Sequence, residues 1–138
     1  VHVAVGAGAA GVLEAGGAGV GPAALARITL GLGPVQVGVH GLFALDLLRS
    51  RERASLGLVL RSSLARLGAG RLVGELHAGA GGLREGDAVL QPGGGLGLAY
   101  EAPTVPGSAF WLGAGLAGVW LDGPVLLPHL GVGYSFGL

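Results

Sequence analysis

Large apolar residues alternate along this chain with glycine or with small and polar residues, most cleanly near its end. In the run His129-Leu130-Gly131-Val132-Gly133-Tyr134-Ser135-Phe136-Gly137-Leu138, Leu130, Val132, Tyr134, Phe136 and Leu138 share one parity; His129, Ser135 and glycines share the other. A period of two with one apolar face describes a strand with that face removed from water. A water-soluble sheet would carry charge on its second face, whereas here that face is mostly glycine. Apolar outside and small or polar inside is the arrangement of a β-barrel whose solvent is lipid.

Turn signals divide the alternation into eight strands. They are expected at about 1–14, 23–32, 35–47, 54–67, 71–81, 95–102, 108–121 and 125–138. The connections are a glycine-rich loop over 15–22, a turn at Gly33-Pro34, a charged loop from Arg49 to Arg53 and a turn at Gly68-Ala69-Gly70. A longer loop around Arg84-Glu85-Gly86-Asp87 and Pro92-Gly93-Gly94 follows, then Pro103 to Gly107 and Asp122-Gly123-Pro124. Eight is the smallest usual count for a closed membrane barrel, and about 9–11 residues per strand suffice to cross. Closure also removes the unpaired edges that lipid does not tolerate. The expected fold is all-β: a closed antiparallel eight-stranded transmembrane β-barrel, an up-and-down meander, in one domain over 1–138. With both termini periplasmic, the odd-numbered connections face away from the cell.

Composition removes the competing classes. Glycine (31) and proline (7) are abundant enough to suggest low complexity, but 51% hydrophobic residues are too many for a disordered chain. Net charge is zero, which gives no field to draw nucleic acid or an acidic partner. Charge is scarce at 12%, and mean hydropathy is +0.68. Cysteine is absent, which removes disulfides and thiolate chemistry. The chain opens at Val1 without a charged n-region and an apolar h-region, so a secretory signal would have to precede it. A helical bundle needs runs of about 20 apolar residues. The nearest windows, 28–45 and 109–121, are respectively broken by Pro34, Gln36 and His40, and too short.

Parity sorts the aromatic residues. Phe43, Tyr100, Phe110, Trp120, Tyr134 and Phe136 fall outward and Trp111 inward. Tyr100, Phe110, Tyr134 and Phe136 lie toward the periplasmic rim and Phe43 and Trp120 toward the outer rim, as two aromatic girdles require. At this point the chain resembles the small outer-membrane β-barrels of Gram-negative bacteria, of the OmpA transmembrane-domain type. Those proteins end in a strand that the barrel assembly machinery recognises, and His129, Gly131, Tyr134 and Phe136 match its pattern, although Gly137 and Leu138 follow the last aromatic residue. The resemblance implies a bacterial outer-membrane location and assembly by that machinery; it implies no activity.

The inward parity collects His2, Glu14, Arg27, Thr29, Gln36, His40, Asp46, Arg61, Ser63, Arg71, Glu75, His77, Glu101, His129 and Ser135. Pairing across the short turns sets Arg27 opposite His40, His40 opposite Arg61, and Arg61 opposite Glu75 or His77. The result is a row of Arg27, His40, Arg61, Glu75 and His77 in which Arg61 has the most charged neighbours. Buried charges of this kind are tolerable only when paired and hydrogen-bonded. The main expectation is a structural or interaction barrel with a polar-plugged lumen and no chemistry of its own. A minimal pore for water, ions or small solutes is the alternative, because inward glycines such as Gly6, Gly8, Gly131 and Gly133 could leave a passage. A lipid-modifying enzyme is the second alternative, but Ser62 is the only mid-strand outward serine and no histidine shares its face. His40, His77 and Glu75 have metal-ligand chemistry, but Arg27 and Arg61 beside them would repel a cation; no metal or cofactor is expected. Arg49, Arg51 and Arg53 on an outer loop are candidates for contact with lipopolysaccharide phosphates in the outer-membrane lipid.

Overall fold

The computed structural model describes the backbone of every residue except Glu85, Gly86, Leu121 and Asp122, and the side chains of all but these and residues 80, 82–84 and 89. Among the described residues there are nine strands: β1 (His2–Glu14), β2 (Gly17–Leu32), β3 (Val35–Asp46), β4 (Arg51–Leu67), β5 (Gly70–Arg84), β6 (Asp87–Val89), β7 (Gly93–Pro103), β8 (Ser108–Trp120) and β9 (Pro124–Gly137). Every pairing is antiparallel between sequence neighbours, except that β5 also pairs with β7 and β9 returns to β1. The β4–β5 and β1–β9 pairings close the ring. The barrel therefore has eight staves; the three-residue β6 only prolongs one end of β5.

Two turns, Gly33-Pro34 and Gly68-Ala69, lie with residues 104–107 and both chain ends at one mouth, the terminal mouth. The other connections form the loop mouth. Gly33 and Gly68 have φ of 66° and 63°, the left-handed conformation that such tight turns demand and glycine adopts without strain.

Strand limits differ from expectation mainly at the loop mouth. The loop expected over 15–22 is only Ala15-Gly16, because Glu14 pairs directly with Gly17 and β2 keeps its ladder from there. Gly19 and Gly21 serve close packing rather than a loop. A Cβ on Gly19 would run into the Asp46 carboxylate, and one on Gly21 into the Leu45 carbonyl. Likewise the charged loop shrinks to residues 47–50: Asp46 pairs with Arg51, so Arg51 and Arg53 belong to β4. That shorter connection also resets the β3–β4 register. Arg27 does face His40, but His40 pairs with Gly57 and not Arg61, whose partner on β3 is Gln36. Of the loop between β5 and β7, Glu85 and Gly86 lie outside the described residues, as does Asp122 of the last turn.

Parity is obeyed. Large apolar residues including Ile28, Leu30, Leu58, Leu76, Leu96 and Leu130 are exposed on the outer wall. Phe110, Trp120 and Tyr134 are exposed there too, whereas Trp111 is 2% exposed inside the barrel. Phe110 faces Tyr134 across β8 and β9, and the Tyr134 hydroxyl meets the Thr104 hydroxyl at 2.7 Å beside the terminal mouth. Trp120 stands at the loop end of β8.

Candidate functional site

Chemistry-bearing side chains converge in the lumen, which is filled in layers. Next to the terminal mouth lies a polar layer. Arg27 donates to Glu75 at 2.5 Å, and Arg61 donates through Nε to the same Glu75 oxygen at 2.8 Å. Arg61 also donates to Gln36 at 2.7 Å and to Glu101 at 2.5 Å. The second Glu101 oxygen accepts two hydrogen bonds from Arg71, at 3.0 and 2.8 Å. Arg27, Arg61, Glu75 and Glu101 are all buried. Such ions persist in a dry interior only when their partners are all present.

The hubs of this network are the carboxylates, a correction to the expectation that Arg61 would have the most charged neighbours. Glu75 meets Arg27, Arg61 and His77; Glu101 meets Arg61, Arg71 and, at 3.7 Å, Arg27. Arg61 contacts those two carboxylates alone among charged groups. The geometry follows from register: Arg61 sits opposite Glu75 across β4 and β5, and Arg71 opposite Glu101 across β5 and β7. His40 and His77 join as a stacked pair, ring centroids 4.0 Å apart and planes at 21°. His77 reaches Glu75 at 3.4 Å. His40 packs over the network without bonding to it, and its Nε2 and the His77 Nδ1 are buried without a protein partner.

Trp111 completes the layer. Its ring lies 5.2 Å from the Arg27 guanidinium carbon, in cation–π range. The inward glycines are what admit it: a Cβ on Gly6 or Gly133 would collide with the indole, and one on Gly131 would crowd it. These glycines thus make room for a large side chain rather than for a passage. A small gap beside Arg27, Glu75, Trp111 and His129 has space of about 20 Å³, enough for a single water. His129 turns its Nδ1 to the Leu127 carbonyl at 3.0 Å.

Above this layer the lumen turns apolar. Val12, Leu42, Val119, Val125 and Leu127 form a buried cluster with alanines from β1, β2, β3 and β8. These residues share the inward parity of their strands, but an apolar residue at an inward position is not distinguished by parity alone from one facing lipid. A third layer caps the loop mouth. Glu14 receives Arg49 at 2.9 Å, Arg51 at 3.2 Å and Arg53 at 3.0 Å, and Asp46 receives Arg49 at 2.6 Å. Burial would raise the pKa of Asp46, at the end of β3, but the hydrogen bonds and charge of Arg49 hold it below its ordinary value. Of the three candidate lipid-contact arginines, Arg53 is buried, Arg49 half-buried, and Arg51 exposed.

His129, Gly131, Tyr134 and Phe136 lie on β9, the strand that closes the ring onto β1, with His129 and Gly131 inward and the aromatic residues outward.

A closed eight-stranded meander with an apolar outer wall and a filled lumen is a transmembrane-type β-barrel. Its fold is similar to that of Neisserial surface protein A, with a TM-score of 0.79 at 12% identity, covering 99% of this chain and 96% of that one. It is also similar to Ail, the attachment invasion locus protein of Yersinia pestis, alone (TM-score 0.53) and in complex with the heparin analogue sucrose octasulfate (0.50). Identity is 20% in both cases, with 98% of each chain covered. No protein-family model and no curated protein sequence matches the chain.

Proposed function

We propose that this chain is a bacterial outer-membrane barrel with a structural or interaction role and a lumen closed to solutes. The observation that carries this reading is the layered filling of the interior: a network of Arg27, Arg61, Glu75 and Glu101, an apolar layer around Leu42 and Leu127, and the carboxylate–arginine cap. An ion crossing would have to displace paired charges and then pass hydrocarbon side chains without water. The apolar wall and the likeness to Neisserial surface protein A and Ail support the membrane and its bacterial outer location.

The loop mouth then faces away from the cell and the terminal mouth faces the periplasm. The β1–β2 and β3–β4 connections are short, of two and four residues, which brings the rim arginines close to lipid. Arg51 keeps 45% of its side chain exposed and is the member of the arginine trio free to meet a lipopolysaccharide phosphate. The β9 segment with His129, Gly131, Tyr134 and Phe136 is the part offered to the barrel assembly machinery. Catalysis is no part of this reading. His77 faces Glu75, and His129 faces a backbone carbonyl; neither prepares a serine nucleophile.

The two tryptophans provide the test. In vesicles containing brominated lipid, Trp120 emission should be quenched and Trp111 emission preserved, so the Trp120→Phe variant should lose nearly all quenching. Equal quenching of both residues, or of neither, would overturn the membrane-barrel reading.

A further inference from the structure

The terminal mouth holds a feature that the plug does not use. Strand β4 carries an irregularity between Ser63 and Ala65, where Leu64 is left without a partner on β5. An extra residue on one strand shifts the parity of everything beyond it, and bulges of this kind re-aim side chains. Before the bulge, odd-numbered residues of β4 face the lumen; after it, Arg66 does. Without Leu64 as an extra residue, Arg66 would point to the lipid side.

The bulge places Arg66 directly opposite Arg71 across the Gly68-Ala69 turn. Like charges at directly paired positions repel, and a fold has no stability reason to build such a pair. Arg71 has Glu101 as its partner. Arg66 is exposed and makes no side-chain hydrogen bond or ion pair among the described residues. Both arginines line an open cavity of about 560 Å³ at this mouth, together with His2, Thr104 and Ser108. The inner charges do not balance either: the guanidiniums of Arg27, Arg61, Arg66 and Arg71 face only the carboxylates of Glu75 and Glu101. Two positive charges remain over this set, and Arg66 at the mouth is the member without a carboxylate partner among the described residues.

We propose that this mouth binds a phosphoryl group, held between Arg66 and Arg71. A phosphate or phosphomonoester carries close to two negative charges at neutral pH, which matches the surplus, and its several oxygens can accept from two guanidiniums together. Arg66 supplies its whole fork; Arg71 supplies the Nη1 that Glu101 leaves free. Ligand access needs no passage through the plug, so binding here is independent of whether the lumen conducts. The phosphoryl group can come from a small solute or from a lipid headgroup at the same end of the barrel.

The test is a titration of isotope-labelled protein in a phosphate-free maltoside detergent with inorganic phosphate, read as side-chain Nε–H and backbone amide shifts at constant ionic strength. Saturable shifts are expected at Arg66, Arg71 and Gly68 to Gly70, and potassium chloride should not reproduce them. R66Q should weaken binding at least tenfold and R66K by less, while both keep the spectrum of the folded barrel. In a second arm, nanodiscs of phosphatidylglycerol are compared with maltoside micelles. Matching shifts without added phosphate identify the headgroup as the source, and shifts only with added phosphate identify a solute. Non-saturating shifts, or equal affinity in R66Q, together with no headgroup response, would overturn the proposal.

Discussion

At the residue scale, the lumen depends on a few side chains that share their partners. A single Glu75 oxygen accepts from both Arg27 and Arg61, so its loss leaves two buried cations to share Glu101. Removing one member of a buried ion pair costs about 3–5 kcal/mol. Glu75→Gln should therefore lower unfolding stability in detergent by that order, and replacing Arg27, Arg61 and Glu75 together by apolar residues should cost less than the single change. Additive costs in urea unfolding would reduce the network to independent polar groups. Trp111 makes a second prediction. Gly6→Val would drive a branched side chain into the indole and the Val132 carbonyl, and overpacking costs about 1–3 kcal/mol or more. The variant should lose near-ultraviolet tryptophan dichroism with little change in strand content. From the sequence, parity is enough to place Trp111 inside, together with Arg27, His40, Arg61, Glu75 and His77. It could not say that Gly6 and Gly133 exist to house that ring, because an inward glycine is read the same way whether it lines a void or a side chain.

At the element scale, alternation set the number and order of strands, and the errors share a cause. Glycine and charge read as loop markers at 15–22 and 49–53, yet at the loop mouth both serve strands. Gly19 and Gly21 admit β3, and Arg53 turns inward to Glu14. Arg66 is missing from the inward set because a one-residue bulge at Leu64 leaves no trace in a pattern of period two. The His40 register slipped for a related reason: loop length sets strand pairing, and the length was overestimated. The rim clip ties the β3–β4 connection to β1 through Arg49, which bonds both Asp46 and Glu14. Because the Asp46 pKa is depressed in the folded state, its contribution is complete above the ordinary value of 3.8 and is lost as pH falls through the folded value. Limited proteolysis at 47–50 should accelerate below about pH 4, and Asp46→Asn should show the fast rate already at neutral pH. An unchanged cleavage rate in Asp46→Asn would show that the clip does not hold this connection.

At the scale of the whole molecule, an apolar exterior and a charged but paired interior invert the order of a soluble protein. The same inversion explains why 12% charged residues suffice. Among the described residues, the buried ion pairs fall in two layers separated by hydrocarbon side chains. The central claim is that this lumen is closed, and planar-bilayer recording tests it most directly. The purified barrel should insert without discrete conductance steps at neutral pH, whereas replacing Leu42 and Leu127 together by alanine should open intermittent small-conductance events. Steady, ohmic single-channel steps from the unmodified protein would contradict the account and make the lumen a pore.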